Sequence, residues 1–343
     1  MTGAGRFFRR IAPQIVTLAF VLVLISVFFP GFFDISIANG RLYGSPIDIL
    51  NRGAPVALLA IGMTLVIATR GIDLSVGAVM AICGAVSAWG ITQGYDLGST
   101  LLLALVAGLA CGLWNGILVS FLGIQPIVAT LILMVAGRGI AQLITEGAIL
   151  TFNDAGLIFF GSGALFGLPM PVIIWILTGL LITLIVRRTA LGLLIESVGI
   201  NLRASTLAGI NSRVLLIAVY VTSGFCASLA GIIAAADIRG ADANNAGLWL
   251  ELDAILAVVI GGTSLLGGRF SLIASLIGAM IIQAVNTGIL LSGFPPEFNL
   301  VIKAAIILII LVVQSPALRT GMIFFRKTPV GDPAGNEKET VTQ

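Results

Sequence analysis

The segment RRTALGLLIESVGINLRASTLAGINSR (Arg187–Arg213) is the longest stretch of this chain with charges at both ends and only a modest apolar stripe between them. Nearly everything on either side of it is too apolar to face water. It sets Arg187, Arg188, Arg203 and Arg213 against one acid, Glu196, an imbalance that the positive-inside rule assigns to the cytoplasm. Ile200, Ala204 and Leu207 fall at i, i+4 and i+7, with Asn201, Arg203, Ser205 and Thr206 around the remainder. That spacing predicts a short amphipathic helix outside the bilayer; an ordinary solvated loop is the other reading. The rest of the chain favours a docking helix, because it offers a soluble partner no other surface.

Working outward, composition sets the class. The 343 residues are 58% hydrophobic and 10% charged, whereas soluble domains carry about 25% charge. The chain therefore reads as an all-α, polytopic membrane protein. Its small net positive charge lies beside membrane spans, not on a basic face, so nucleic acid is excluded as a partner. There is no histidine, and Cys83, Cys111 and Cys226 sit in apolar runs without CxxC spacing. Hence no catalytic residue, disulfide framework or metal site is expected. No G-x-x-x-x-G-K-[ST] occurs, and the only lysines are Lys303, Lys327 and Lys338, so the chain has no P-loop of its own. Any ATP and Mg used for transport must bind a different polypeptide.

A span needs about 20 mostly apolar residues. About ten candidates follow: Ile11–Phe33, Pro55–Thr69, Ile72–Gln93, Leu101–Gly123, Ile127–Glu146, Pro171–Val186, Val214–Ala236, Leu252–Leu266, Phe270–Leu291 and Leu300–Val313. The first is too long for a signal-peptide core and lacks its cleavage signature, so it is read as a retained span. Asp34–Arg52, Gly147–Leu168 and Asp237–Trp249 become external segments, and both termini are cytoplasmic. Thirteen cations then fall inside and only Arg41, Arg52 and Arg239 outside, with Arg138 and Lys303 within spans. One helix more or fewer would invert half of that distribution. Residues 1–318 read as one transmembrane domain containing the 187–213 segment, and 319–343 as a polar cytoplasmic tail.

An inverted repeat of helices 2–5 and 7–10 is also expected. GIDLSVGAVMAI (71–82) corresponds to ELDAILAVVIGG (251–262), NGILVSFLG (115–123) to NTGILLSG (286–293), and Arg138 to Lys303. Each offset is five helices, an odd number, so the halves have opposite orientations. Charges within spans usually face the bundle interior and mark function. The candidates for a translocation path are Asp73, Ser75, Asn115, Arg138, Gln142, Asn244, Asn245, Asp253, Gln283, Asn286 and Lys303. The bland alternatives are packing pairs, interhelical hydrogen bonds and, for Asp73, an N-cap.

GIDLSVGA (71–78), ATL (129–131), RG (138–139), G-x-N-x-x-A with AGIN (199–211) and ELDAILAVVIGGTSLLGG (251–268) recur in this order. Together with the Asn286 and Lys303 pair, they resemble the ribose-type sugar permeases of ABC importers over nearly the whole chain. GSPIDILNRGAPVALLAIGMTLVIAT (44–69), ADIRGADANNAGLWLELDAI (236–255) and NTGILLSGFPPE (286–297) look like the galactofuranose branch of that family. The resemblance implies a bacterial inner-membrane protein that binds a cytoplasmic ABC ATPase and receives sugar from a periplasmic binding protein. It also implies a second permease subunit, a different chain in the galactofuranose branch, giving a heterodimer. Glu196, Gly199, Asn201, Arg203, Ala204, Gly209 and Ile210 would form the ATPase-coupling segment. One departure is Arg70, where the family usually has glycine; it either alters the ATPase-facing surface or adds to the inside charge. The alternative function is an ion-coupled secondary sugar transporter, with Asp73 or Asp253 titrating.

Overall fold

Backbone polar groups in lipid must be paired within the segment, so long apolar runs fold as helices. The computed structural model describes residues 3–38, 40–293 and 296–314. Within them α1 (Gly3–Phe28) leads to the antiparallel hairpin of β1 (Ser36–Ala38) and β2 (Arg41–Tyr43). α2 (Ser45–Arg52) bends by 45° into α3 (Ala54–Ala68), and α4 (Val76–Thr92), α5 (Leu97–Ser120) and α6 (Pro126–Ile144) follow. Next come β3 (Leu150–Thr151), α7 (Ala155–Ser162), β4 (Ala164–Leu165), β5 (Leu168–Pro169) and α8 (Met170–Arg188). α9 (Leu191–Ile200) and α10 (Leu202–Leu207) precede the long α11 (Ser212–Ile238). The last described elements are β6 (Gly240–Ala241), α12 (Leu250–Ile260), α13 (Leu272–Leu291) and α14 (Pro296–Gln314).

Each of the ten expected spans coincides with a helix, and the helices differ in length. Among the described residues α1, α5, α6, α8, α11 and α13 are long and apolar enough to span, and α2 with α3 make a seventh if counted as one bent span. α4 and α12 have only 17 and 11 residues. The span expected from Ile72 begins at Val76, because Gly71–Ser75 is an unwound entry. The span expected to reach Leu266 stops at Ile260, where Gly261 and a left-handed Gly262 follow. Broken helices are tolerated at membrane depth only when protein surrounds them. Within Asp34–Arg52, the first half carries the β1–β2 hairpin and the second half is α2. The 319–343 tail lies outside the described residues.

Long-range contacts agree with the expected sidedness. At one end β3 pairs with β6, and Arg41 donates to the Ser162 carbonyl. At the other, the Gly268 N–H donates to the Ala68 carbonyl, and Arg213 lies over the Phe121 ring. Segments assigned to one side of the membrane thus meet one another, and we call these the outer and inner ends.

The centre is built on α3 and α11. Every residue of α3 except Pro55 is buried, as befits a helix that is apolar all round. α11 packs against α3, α4 and α5. It approaches α5 so closely that a Cβ at Gly224 would overlap the Gly108 carbonyl, the small-residue contact typical of membrane helices. α3 packs on α12 and α13 as α11 packs on α4 and α5, the pattern that two inverted halves predict. A bulkier residue at the crossing must separate the two helices, an overpacking cost of about 1–3 kcal/mol or more. Gly224→Val should therefore lower the melting temperature in detergent clearly, whereas Gly139→Ala, with open space around it, should not.

Candidate functional site

The inverted halves gather polar groups in two places. At the outer end, helices α2, α3, α7, α8, α11, α12, α13 and α14 surround a cleft of about 450 Å³, within the range of small-ligand sites. Asn51 and Arg52 enter it from the last turn of α2, just before the bend. Gln283 and Asn286 are three residues apart on α13, which places them on one face. Asp253 lies in the first turn of α12, where the helix dipole favours an anion. Lys303 on α14 reaches it, with Nζ 2.6 Å from Oδ2. Asp237, from the end of α11, and Trp249 complete the polar rim. Trp249 precedes α12 in a left-handed conformation, φ 66°, and its ring is exposed.

The second cluster is buried between α4, α5 and α11. Asp73 is 2% exposed. Its Oδ1 accepts from the Ser75 N–H (3.1 Å) and hydroxyl (2.6 Å), and its Oδ2 from the Ser223 hydroxyl on α11 (2.8 Å). The Asn115 amide donates to Ser75 Oγ at 2.8 Å, and Thr130 donates to the Ile72 carbonyl at 3.1 Å. Asp73 is therefore not an N-cap; it closes a turn two residues long ahead of the helix. This fastens the unwound Gly71–Ser75 entry to three helices and satisfies polar groups that lipid would leave unpaired. Tyr220 OH is buried beside Asp73 with no hydrogen-bond partner.

Each half thus sets its aspartate with its asparagine, Asp73 near Asn115 and Asp253 near Asn286. The third correspondence fails. Lys303 pairs with Asp253, but the Arg138 guanidinium donates to the Ala243 and Ala246 carbonyls (3.0 and 2.6 Å) and clamps the loop that leads to α12. Gln142 supports the same loop through Asn244 Oδ1 at 2.7 Å. The Asn245 amide turns back onto Asp242 at 2.7 Å. That bond, with the Asn245 and Asn244 N–H groups, holds the Asp242 carboxyl below the usual range. Arg138, Gln142, Asn244 and Asn245 therefore brace the loop, and none of them lines the 450 Å³ cleft.

On the inner side, the single amphipathic helix expected through Ile200 and Leu207 is two helices broken at Asn201. The Asn201 side chain caps α10 by accepting from the Ala204 N–H at 3.0 Å. The stripe of Ile200, Ala204 and Leu207 faces outward, with Leu207 86% exposed, and Ser205 is the buried residue of α10. Arg203 is exposed, Glu196 and Ile210 are half-buried, and Gly209 makes a left-handed turn. Gly199 is buried: a Cβ there would overlap the Ala68 carbonyl, so it seats α9 on the end of α3. Arg70 also has a left-handed backbone, φ 65°, and its guanidinium donates to the Ile200 carbonyl. The position suits glycine, and the arginine adds a tie to the inner surface.

The cleft also contains groups that sequence reading did not single out. Asn51 and Arg52 fall in the external segment Asp34–Arg52 and Asp237 in Asp237–Trp249, with no role in the path assigned to them. Outside the cleft, Ser223 of the Asp73 cluster and Glu251, buried with Oε2 unpaired, were not singled out either. Gln283 and Asn286, by contrast, are singled out as polar residues within a span.

The chain matches the family described as branched-chain amino acid transport system, permease component, over residues 45–311. It is 65% identical over 303 residues to the galactofuranose transporter permease protein YtfT of Escherichia coli (strain K12), covering 88% of this chain and 89% of that one. Identity is 42% to the fructose import permease protein FruF of Bifidobacterium longum (strain NCC 2705), covering 89% and 87%. It is 37% to the ribose import permease protein RbsC of Escherichia coli (strain K12), covering 88% and 92%.

Removing one partner of a buried ion pair strands the other, at a cost of about 3–5 kcal/mol. Asp253→Asn or Lys303→Met alone should lower the melting temperature more than the two together, a double-mutant cycle read by thermal unfolding. At Arg70, losing one hydrogen bond (about 1 kcal/mol) opposes relief of a left-handed backbone (about 1–2 kcal/mol). Arg70→Gly should consequently leave the melting temperature nearly unchanged.

Proposed function

The chain belongs to the permease components of branched-chain amino acid transport systems, and we propose that its cargo is galactofuranose, released to it by a periplasmic binding protein and moved by ATP hydrolysis on a separate subunit. It is a multi-pass permease subunit of an ABC importer in the bacterial cytoplasmic membrane, and not itself an enzyme. The observation that carries the cargo reading is the 65% identity to a galactofuranose permease along nearly the full length of both chains. The fructose and ribose permeases among its relatives also favour a sugar over the amino acids of the family's description.

In this reading residues 1–318 form the transmembrane domain, with a second, different permease chain completing a heterodimer. ATP and Mg bind the partner ATPase, which docks on the exposed stripe of Ile200, Ala204 and Leu207. Closure of the ATPases moves α9 and α10. Gly199 transmits that motion to α3 through the Ala68 contact, and the chain continues directly into α11. Sugar crosses by alternating access and needs only weak binding, because a conduit must release what it admits.

Proteoliposomes holding this chain and its candidate partners, with ATP trapped inside and binding protein outside, should take up labelled galactofuranose. Uptake should cease when the ATPase is omitted. Uptake that persists without the ATPase and follows a proton gradient would establish the secondary carrier instead.

A further inference from the structure

We propose that the outer cleft of this single subunit is a holding station for the sugar, in which the Trp249 ring supplies a stacking face and Gln283 and Asn286 supply the hydroxyl partners. The proposal rests on the sugar-importer reading and locates a binding site for it, inside one permease chain.

The charges of the cleft cancel: Arg52 and Lys303 oppose Asp237 and Asp253. Lys303 and Asp253 are already joined at 2.6 Å, and Asp237 lies within electrostatic reach of Arg52 and Arg41. A zwitterionic amino acid needs a free cation and a free anion, and the deep pair offers neither. Arg52 and Asp237 stand at the exposed rim, and what remains available deeper in the cleft is carboxamide. Gln283 is only 7% exposed, yet its side chain has no hydrogen-bond partner among the described residues, and the same holds for Asn286. Asn51 Oδ1 is buried and unpaired at the same cleft. The Gln283 and Asn286 amides line the cleft with their hydrogen-bonding capacity unused by the protein, and each both donates and accepts, as a sugar hydroxyl does. A set of free donors and acceptors on uncharged side chains is suited to a neutral polyol.

Trp249 supplies the complementary surface. Its ring is 52% exposed beside the cleft, and its left-handed φ of 66° is unusual for a bulky residue. The Arg138 clamp on the Ala243 and Ala246 carbonyls holds the loop that imposes this conformation. An indole offers an apolar face with one polar edge, which matches the C–H face and hydroxyl rim of a sugar.

The test uses the assembled transporter in nanodiscs without binding protein, titrated with methyl galactofuranoside by ligand-observed NMR. Uptake in proteoliposomes, melting temperature and subunit assembly are measured in parallel. Trp249→Ala and the double variant Gln283→Ala/Asn286→Ala should each weaken binding about tenfold, a change of about 1.4 kcal/mol, and slow uptake while remaining assembled. Trp249→Phe should recover most of the binding. If the variants that assemble bind and import like wild type, the holding station is wrong, even though the permease reading stands. If wild type imports a different sugar, the galactofuranose reading fails, and the same variants assayed with that sugar decide the proposal.

Discussion

The structure depends on α11 touching its neighbours backbone to backbone. Without a side chain at Gly224 and Gly108, α11 and α5 can come together where larger residues would hold them apart. In lipid, helices gain little by burying apolar surface from one another, so such close packing must supply the attraction. α11 has 27 residues and is about 40 Å long. It begins beside the inner segment, passes Ser223 to the Asp73 turn midway, and delivers Asp237 to the outer cleft. One helix therefore meets every polar region described above.

The second feature is where the helices break. Gly71–Ser75 before α4 leaves backbone polar groups without helical partners inside the bundle, the loop before α12 does so at the outer end, and each is held by side chains from elsewhere in the bundle. Asp73, Asn115 and Ser223 secure the first; Arg138 and Gln142 secure the second. The two solutions differ chemically although the halves are related in packing. One is a buried carboxylate among hydroxyls and the other an exposed loop held by a guanidinium. Symmetry of backbone does not require symmetry of side-chain role, and Arg138 and Lys303 demonstrate it.

Much of the architecture was legible because lipid imposes simple rules. Apolar runs located the helices, and cations beside them gave a sidedness that the β3–β6 and Gly268–Ala68 contacts share. Hydropathy could not distinguish a full crossing from the short α4 and α12, since both lie in uninterrupted apolar sequence. The sites were less legible. Gln283 and Asn286 were identified by being polar within a span. Arg52, Asp237 and Trp249 sit at helix ends, where charge and aromatics are ordinary. Their convergence depends on the α2–α3 bend, which Gly53 and Pro55 mark, and on the Trp249 backbone, which has no local sequence signal. The Ile200, Ala204 and Leu207 stripe was visible, but the break at Asn201 within it was not.

The central claim is that events at the inner surface control access to the outer cleft. Its most direct test is the reaction rate of a membrane-impermeant thiol reagent with Asn286→Cys, in a background where Cys83, Cys111 and Cys226 are replaced. The rate would be measured in the assembled transporter with and without ATP trapped on the ATPase side. The account predicts rates that differ several-fold between the two nucleotide conditions, and that become equal when the ATPase is removed. Equal rates with and without ATP in an intact, transporting complex would contradict it.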